Sequence, residues 1–113
     1  MSNRMNRKIN LSFAGAAILQ GLAYGYRYGF DIMDVTGLPS GTVYPALRRL
    51  ERAGLVLSKW EDNDTARKDH RPARKYYELS KTGHKTLSEA VVRYRGLESI
   101  LRKATKSVKP SRA

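Results

Sequence analysis

Pro45 stands inside Gly41-Thr-Val-Tyr-Pro-Ala-Leu-Arg-Arg-Leu-Glu-Arg-Ala-Gly-Leu-Val56, a stretch whose apolar spacing otherwise reads as a single helix. Proline has no amide hydrogen, so a helix tolerates it best where that hydrogen would have no partner, in the first turn. The helix is therefore expected from about Gly41 to Ala53, with Ser40 or Gly41 as cap and Gly54 as stop. Val43, Leu47 and Leu50 form its buried stripe, and Thr42, Pro45, Arg48, Arg49 and Arg52 lie on the other side with Tyr44 beside them. A short helix of this kind, apolar behind and cationic in front, suits a DNA groove.

The flanking segments supply what such a helix needs. A first helix is expected over about Ile9–Ala23, with Leu11, Ala14, Ala17, Ile18 and Leu22 facing the core. Tyr24-Gly-Tyr-Arg-Tyr-Gly29 ends it, its tyrosines serving the packing of helix junctions. A second helix covers about Tyr28–Val35, with Phe30, Ile32 and Met33 inward, and Thr36-Gly-Leu-Pro-Ser40 makes the turn to the third.

Beyond Gly54, Leu55–Glu61 and Arg74–Leu79 read as paired strands, Tyr77 and Leu79 pointing inward. The loop Asp62–Ala73 is longer than a usual hairpin turn, acidic first (Asp62, Asp64) and basic later (Arg67, Lys68, Arg71). It reads as a wing with a cationic tip that Arg74 and Lys75 continue.

Ser80 can cap a final helix to about Lys106, about 26 residues or ~39 Å long. Leu87, Ala90, Tyr94, Leu97, Leu101 and Ala104 recur at alternating spacings of three and four, which is a dimerisation seam. The expected organisation is a basic arm over 1–8, a domain of three helices and a two-stranded wing over 9–80, a dimerisation helix over 81–106 and a disordered tail over 107–113. The fold class is mainly α with a two-stranded β wing.

Twenty-two Lys and Arg against ten Asp and Glu leave a net charge of +12, which favours a polyanionic partner. With no cysteine, disulfides and thiolate metal sites are excluded, in keeping with the cytoplasm. No apolar run approaches a membrane span. His70 and His84 have no nucleophile or clustered carboxylate with them, and Arg67 stands where a calcium loop needs glycine. Neither an enzyme nor a cofactor or metal site is expected.

Three stretches give a family resemblance. They are Ile18-Leu-Gln-Gly-Leu through Tyr28-Gly-Phe-Asp-Ile32; Ser40-Gly-Thr-Val-Tyr-Pro-Ala-Leu-Arg-Arg-Leu-Glu51 with Gly54-Leu-Val56; and Trp60-Glu61 with Arg71-Pro-Ala-Arg-Lys-Tyr-Tyr-Glu-Leu-Ser80 and Gly83. Together they resemble the PadR family of bacterial transcriptional regulators. The resemblance implies a winged helix-turn-helix, a homodimer joined through its C-terminal helix, and repression of a promoter relieved by a small-molecule effector. It places Thr42, Tyr44, Arg48 and Arg49 of the recognition helix, and Arg71, Arg74 and Lys75 of the wing, on double-stranded DNA. Ser40 and Pro45 of the same helix complete the expected DNA-facing set, and a two-fold dimer calls for a pseudo-palindromic operator. Thr42 and Pro45 suit thymine methyl groups, Arg48 suits guanine, and Tyr44 suits a phosphate. The alternative is a winged-helix architectural or protein-interaction module, for example phage-encoded, without an effector.

Overall fold

The computed structural model describes residues 11–97. Its elements run α1 (Phe13–Ala23), α2 (Gly29–Thr36), α3 (Ser40–Arg52), β1 (Val56–Trp60), α4 (Asn63–Lys68), β2 (Lys75–Leu79) and α5 (Lys81–Arg93). The arm over 1–8, the tail over 107–113, Leu101 and Ala104 lie outside the described residues.

α1 starts later than expected because Ser12 caps it, its hydroxyl accepting the amide of Gly15 at 3.0 Å. Leu11 stays buried ahead of the helix, and Ile18 and Leu19 are sealed in the core with Ile32, Val35, Val43 and Leu47. α2 ends at Gly37, whose φ of 74° is the left-handed conformation open to glycine. Met33 packs against the core and Ile32 is sealed within it, as expected. Phe30 corrects the sequence reading: it is 42% exposed and stacks on Tyr28, with ring centroids 5.5 Å apart.

Pro45 also sits differently from the expectation. α3 begins at Ser40, with Pro39 in the cap position and no side-chain cap, so the proline lies in the second turn. The bond it forgoes is to the carbonyl of Gly41, an exposed residue that water can reach. The C-terminus follows the expectation. Gly54 has φ 80°, its amide bonds Glu51 O, and the amide of Leu55 bonds Leu50 O at 2.9 Å. Leu55 is thereby turned into the core and β1 starts at once.

β1 and β2 pair antiparallel, with Val56 opposite Leu79, Ser58 opposite Tyr77 and Trp60 opposite Lys75. The face carrying Val56 and Tyr77 covers the core. The loop between the strands contains α4, a helix not expected from sequence. Asp62 caps it through the amide of Thr65 at 2.7 Å, a bond that holds the Asp62 carboxyl below its ordinary pKa. The acidic-then-basic order read as a two-signed wing is the order a helix dipole favours.

The last helix departs most from expectation. α5 is capped by Ser80, as expected, but its last residue is Arg93; Tyr94 turns extended at φ −110°, ψ 92°. The Tyr94 hydroxyl donates to Leu11 O at 2.6 Å, and its ring meets Phe13 edge-on. Leu87, Ala90 and Leu97 are buried within the same chain. The heptad positions over 87–97 therefore join the chain's own core, with Tyr94 packed against it.

Candidate nucleic-acid interface

On a helix turning about 100° per residue, the buried stripe of α3 fixes what faces outward. Val43, Ala46, Leu47 and Leu50 point into the core. Gly41, Pro45, Arg48 and Arg52 fall opposite them. Tyr44 and Glu51 flank this face toward the strands, and Thr42 and Arg49 flank it toward α1. Arg48, Arg49 and Arg52 are all exposed, and among the described residues none forms an ion pair.

Two flanking residues have further surroundings. Arg49 lines a cleft of about 270 Å³ between α1 and α3, together with Leu11, Gly15, Ala46 and Leu55. Tyr44 is half-buried and lies so close to Gly29 that a Cβ there would run into its ring. Gly29 is thus the residue that lets α2 and α3 approach.

The wing is organised around one carboxylate. α4 closes through His70 at φ 55°, and the amide of Arg71 bonds Ala66 O at 3.1 Å. That turn delivers the Arg71 guanidinium to Glu61, Nη1 at 2.5 Å and Nη2 at 2.9 Å, and to Asp69 at 3.0 Å. Glu61 also accepts the amide of Arg74 at 3.0 Å and the Tyr28 hydroxyl at 3.3 Å. Its side chain is only 9% exposed. The bonds from Arg71, above all, hold its carboxyl down to about 2, and Arg71 is raised in turn by Glu61. The Arg71 cation thus turns into the wing instead of forming a free tip.

Arg74 and Lys75 are held more loosely. The Arg74 guanidinium lies 4.3 Å from the Tyr28 ring centroid and 5.1 Å from that of Phe30, and reaches Glu61 at 3.7 Å. Among the described residues no acceptor meets its Nε, so stacking on the two rings and the longer contact to Glu61 hold it. Lys75 approaches Glu51 at 4.0 Å and lies 5.9 Å from the ring centroids of Trp60 and Tyr77. Burial first, then the Glu51 charge, raises the Tyr77 hydroxyl pKa. Ser40 is exposed at the start of α3 and Thr42, two residues further on, is half-exposed. Ser40, Thr42, Tyr44, Pro45, Arg48, Arg49, Arg74 and Lys75 thus lie on α3 or at the root of the wing, and Arg71 lies behind them. Sequence reading left out Glu61, which only the fold brings to Arg71, and Trp60, whose neighbour Lys75 lies fifteen residues away.

Residues 18–89 match the transcriptional regulator PadR-like family, which is more than half of the 113 residues. The chain belongs to this family. As a PadR-like protein it is a DNA-binding transcriptional regulator, and its family is one of regulators rather than enzymes. Solved structures of the family share the fold. A PadR-like transcription factor from Bacteroides fragilis is 26% identical, with TM-score 0.60, covering 79% of this chain and 86% of that one. A PadR family regulator from Clostridium difficile R20291 is 24% identical, with TM-score 0.64, covering 81% of this chain and 97% of that one. No curated protein matches the chain. No helix among the described residues is long and apolar enough to cross a membrane.

Proposed function

We propose that this PadR-like protein is a repressor that binds a pseudo-palindromic operator as a homodimer in the cytoplasm and is released by a small-molecule effector. The observation that carries the reading is the unpaired arginine face of α3 standing beside the wing root. In this reading α3 enters the major groove. Arg48 reads guanine, Pro45 and Thr42 contact thymine methyl groups, and Arg49 and Arg52 meet phosphates. Ser40, at the helix start, and Tyr44 lie near the strand backbone. Arg74 and Lys75 contact the duplex from the wing, and Arg71 acts through Glu61 by holding the wing in place.

Two such helices fit successive major grooves when a dimer holds them roughly 34–36 Å apart. Leu87, Ala90, Tyr94 and Leu97 serve the chain's own core, so the dimer contact falls to Val92, 83% exposed on α5, and to the stretch holding Leu101 and Ala104. The cleft behind α3 gives an effector room to act on the recognition helix.

Genome-wide mapping of bound sites, with footprinting of the strongest site, tests this. The expected result is a footprint of two half-sites one duplex turn apart, upstream of the regulator's own gene or a neighbour. Equal affinity for every duplex, with bending, supports the architectural alternative instead. Sedimentation of a Val92→Glu variant tests the dimer: it should shift toward monomer, and an unchanged dimer places the contact elsewhere.

A further inference from the structure

The one tryptophan of the chain is among the most exposed large apolar side chains of the described residues. Trp60 is 66% exposed at the end of β1, on the strand face that looks toward α3. It borders a slot of about 190 Å³ between α3 and the wing root. Tyr28, Phe30, Tyr44, Trp60, Arg74 and Lys75 line it. The lining contains no carboxylate. The two cations have carboxylate partners only at 3.7 and 4.0 Å, beyond normal hydrogen-bond length, so the Lys75 ammonium and the Arg74 Nη2 can take closer acceptors.

With a helix in the major groove and a wing at the adjacent minor groove, one strand of the duplex must pass between them. Here the gap between α3 and the wing is this slot. Its composition suits that strand: the Tyr44 and Trp60 rings for deoxyribose, two cations and an indole N–H for phosphate oxygens. We propose that the slot seats one sugar–phosphate unit of the strand between the two grooves, with Trp60 and Lys75 as its direct contacts. The inference rests on α3 being the groove helix and adds an aromatic seat to it. It also accounts for a large apolar side chain left open to water beside two cations: the duplex covers it.

Because Trp60 is the only tryptophan, its fluorescence reports on the slot alone. Acrylamide quenching of wild-type protein is compared free and saturated with a labelled duplex, saturation being followed by anisotropy of the label. Quenching should fall severalfold in the complex. Trp60→Phe should weaken binding by ~10-fold on every duplex, through loss of the indole donor to a charged oxygen. Lys75→Gln should lower the salt slope by about one, and Lys75→Arg should restore it. A fully formed complex in which Trp60 remains as quenchable as in free protein overturns the seat while leaving α3 in its groove. Failure of any duplex to bind overturns both.

Discussion

Arg48, Arg49 and Arg52 on α3 have no carboxylate within 4.0 Å among the described residues, whereas Arg71, Arg74 and Lys75 on the wing each have one. Both sets look alike in sequence: three cations within five residues, next to aromatic or apolar positions. The difference lies in what stands opposite. α3 leaves Arg48, Arg49 and Arg52 exposed, and no acid of the described residues stands opposite them. The wing folds back through α4, so that Arg71 reaches Glu61 and Asp69. A cationic stretch is thus a surface only where the chain does not return acids to it. On the wing the same residue type is structural at Arg71 and half-available at Arg74 and Lys75, in order of increasing distance from their carboxylates.

The contrast can be broken by substitution, and the largest effect is expected on α3. Replacing Arg48 and Arg52 together by alanine should lower operator affinity by ~100-fold or more, at roughly 1–3 kcal/mol for a base-reading arginine plus the lost phosphate contact. Thermal stability should hold within about 0.5 kcal/mol, since neither side chain is buried or paired. Binding by anisotropy and melting by circular dichroism check the two halves of that statement. A melting temperature that drops with the affinity would show that these arginines support the fold as well.

Next comes Gly29→Ala, which drives a Cβ into the Tyr44 ring. Overpacking there should cost about 1–3 kcal/mol in denaturant unfolding, because α2 and α3 must separate. The double variant with Tyr44→Ala should recover part of that loss; no recovery would place the clash elsewhere.

A smaller effect is expected at the wing. Arg71→Ala should speed amide exchange over 61–74 and lower the melting temperature, since Glu61 keeps its burial and loses its nearest partner. Exchange confined to 61–74 marks a wing role, and exchange spreading into α3 would contradict it.

The smallest effect is the acid dependence of that clamp. Glu61 falls from its ordinary 4.5 to about 2 in the fold, so its contribution is complete above the ordinary value and is lost as pH drops toward 2. Glu61→Gln removes that titration. The stability gap between wild type and variant should be constant near neutral pH and close between about 4.5 and 2. A gap that persists at low pH would mean that the side chain acts by shape alone.

These contrasts also show what sequence could reveal. The recognition helix was legible because its signals are local: a 3.6-residue apolar period and Gly54 as stop. Pro45 misled by one turn because a proline on an exposed face leaves a carbonyl that water can satisfy. α4 carried a readable signal in Asp62 and in its charge order, which a short hairpin prior concealed. The break at Tyr94 was not legible, since it depends on a hydroxyl reaching Leu11, eighty-three residues earlier. The Glu61–Arg71 pair was likewise hidden, because nothing local distinguishes a cation that faces water from one that faces a carboxylate.

The salt dependence of operator binding, measured side by side for wild type, Arg48→Ala and Arg71→Ala, tests the division of charge most directly. Each phosphate contact contributes about 0.9 to the slope of log affinity against log salt. The division predicts a steep wild-type slope, a clear reduction for Arg48→Ala if it also meets the backbone or a loss of affinity at constant slope if it reads only bases, and no change in slope for Arg71→Ala. A slope that falls for Arg71→Ala by a full contact while Arg48→Ala binds like wild type would contradict it.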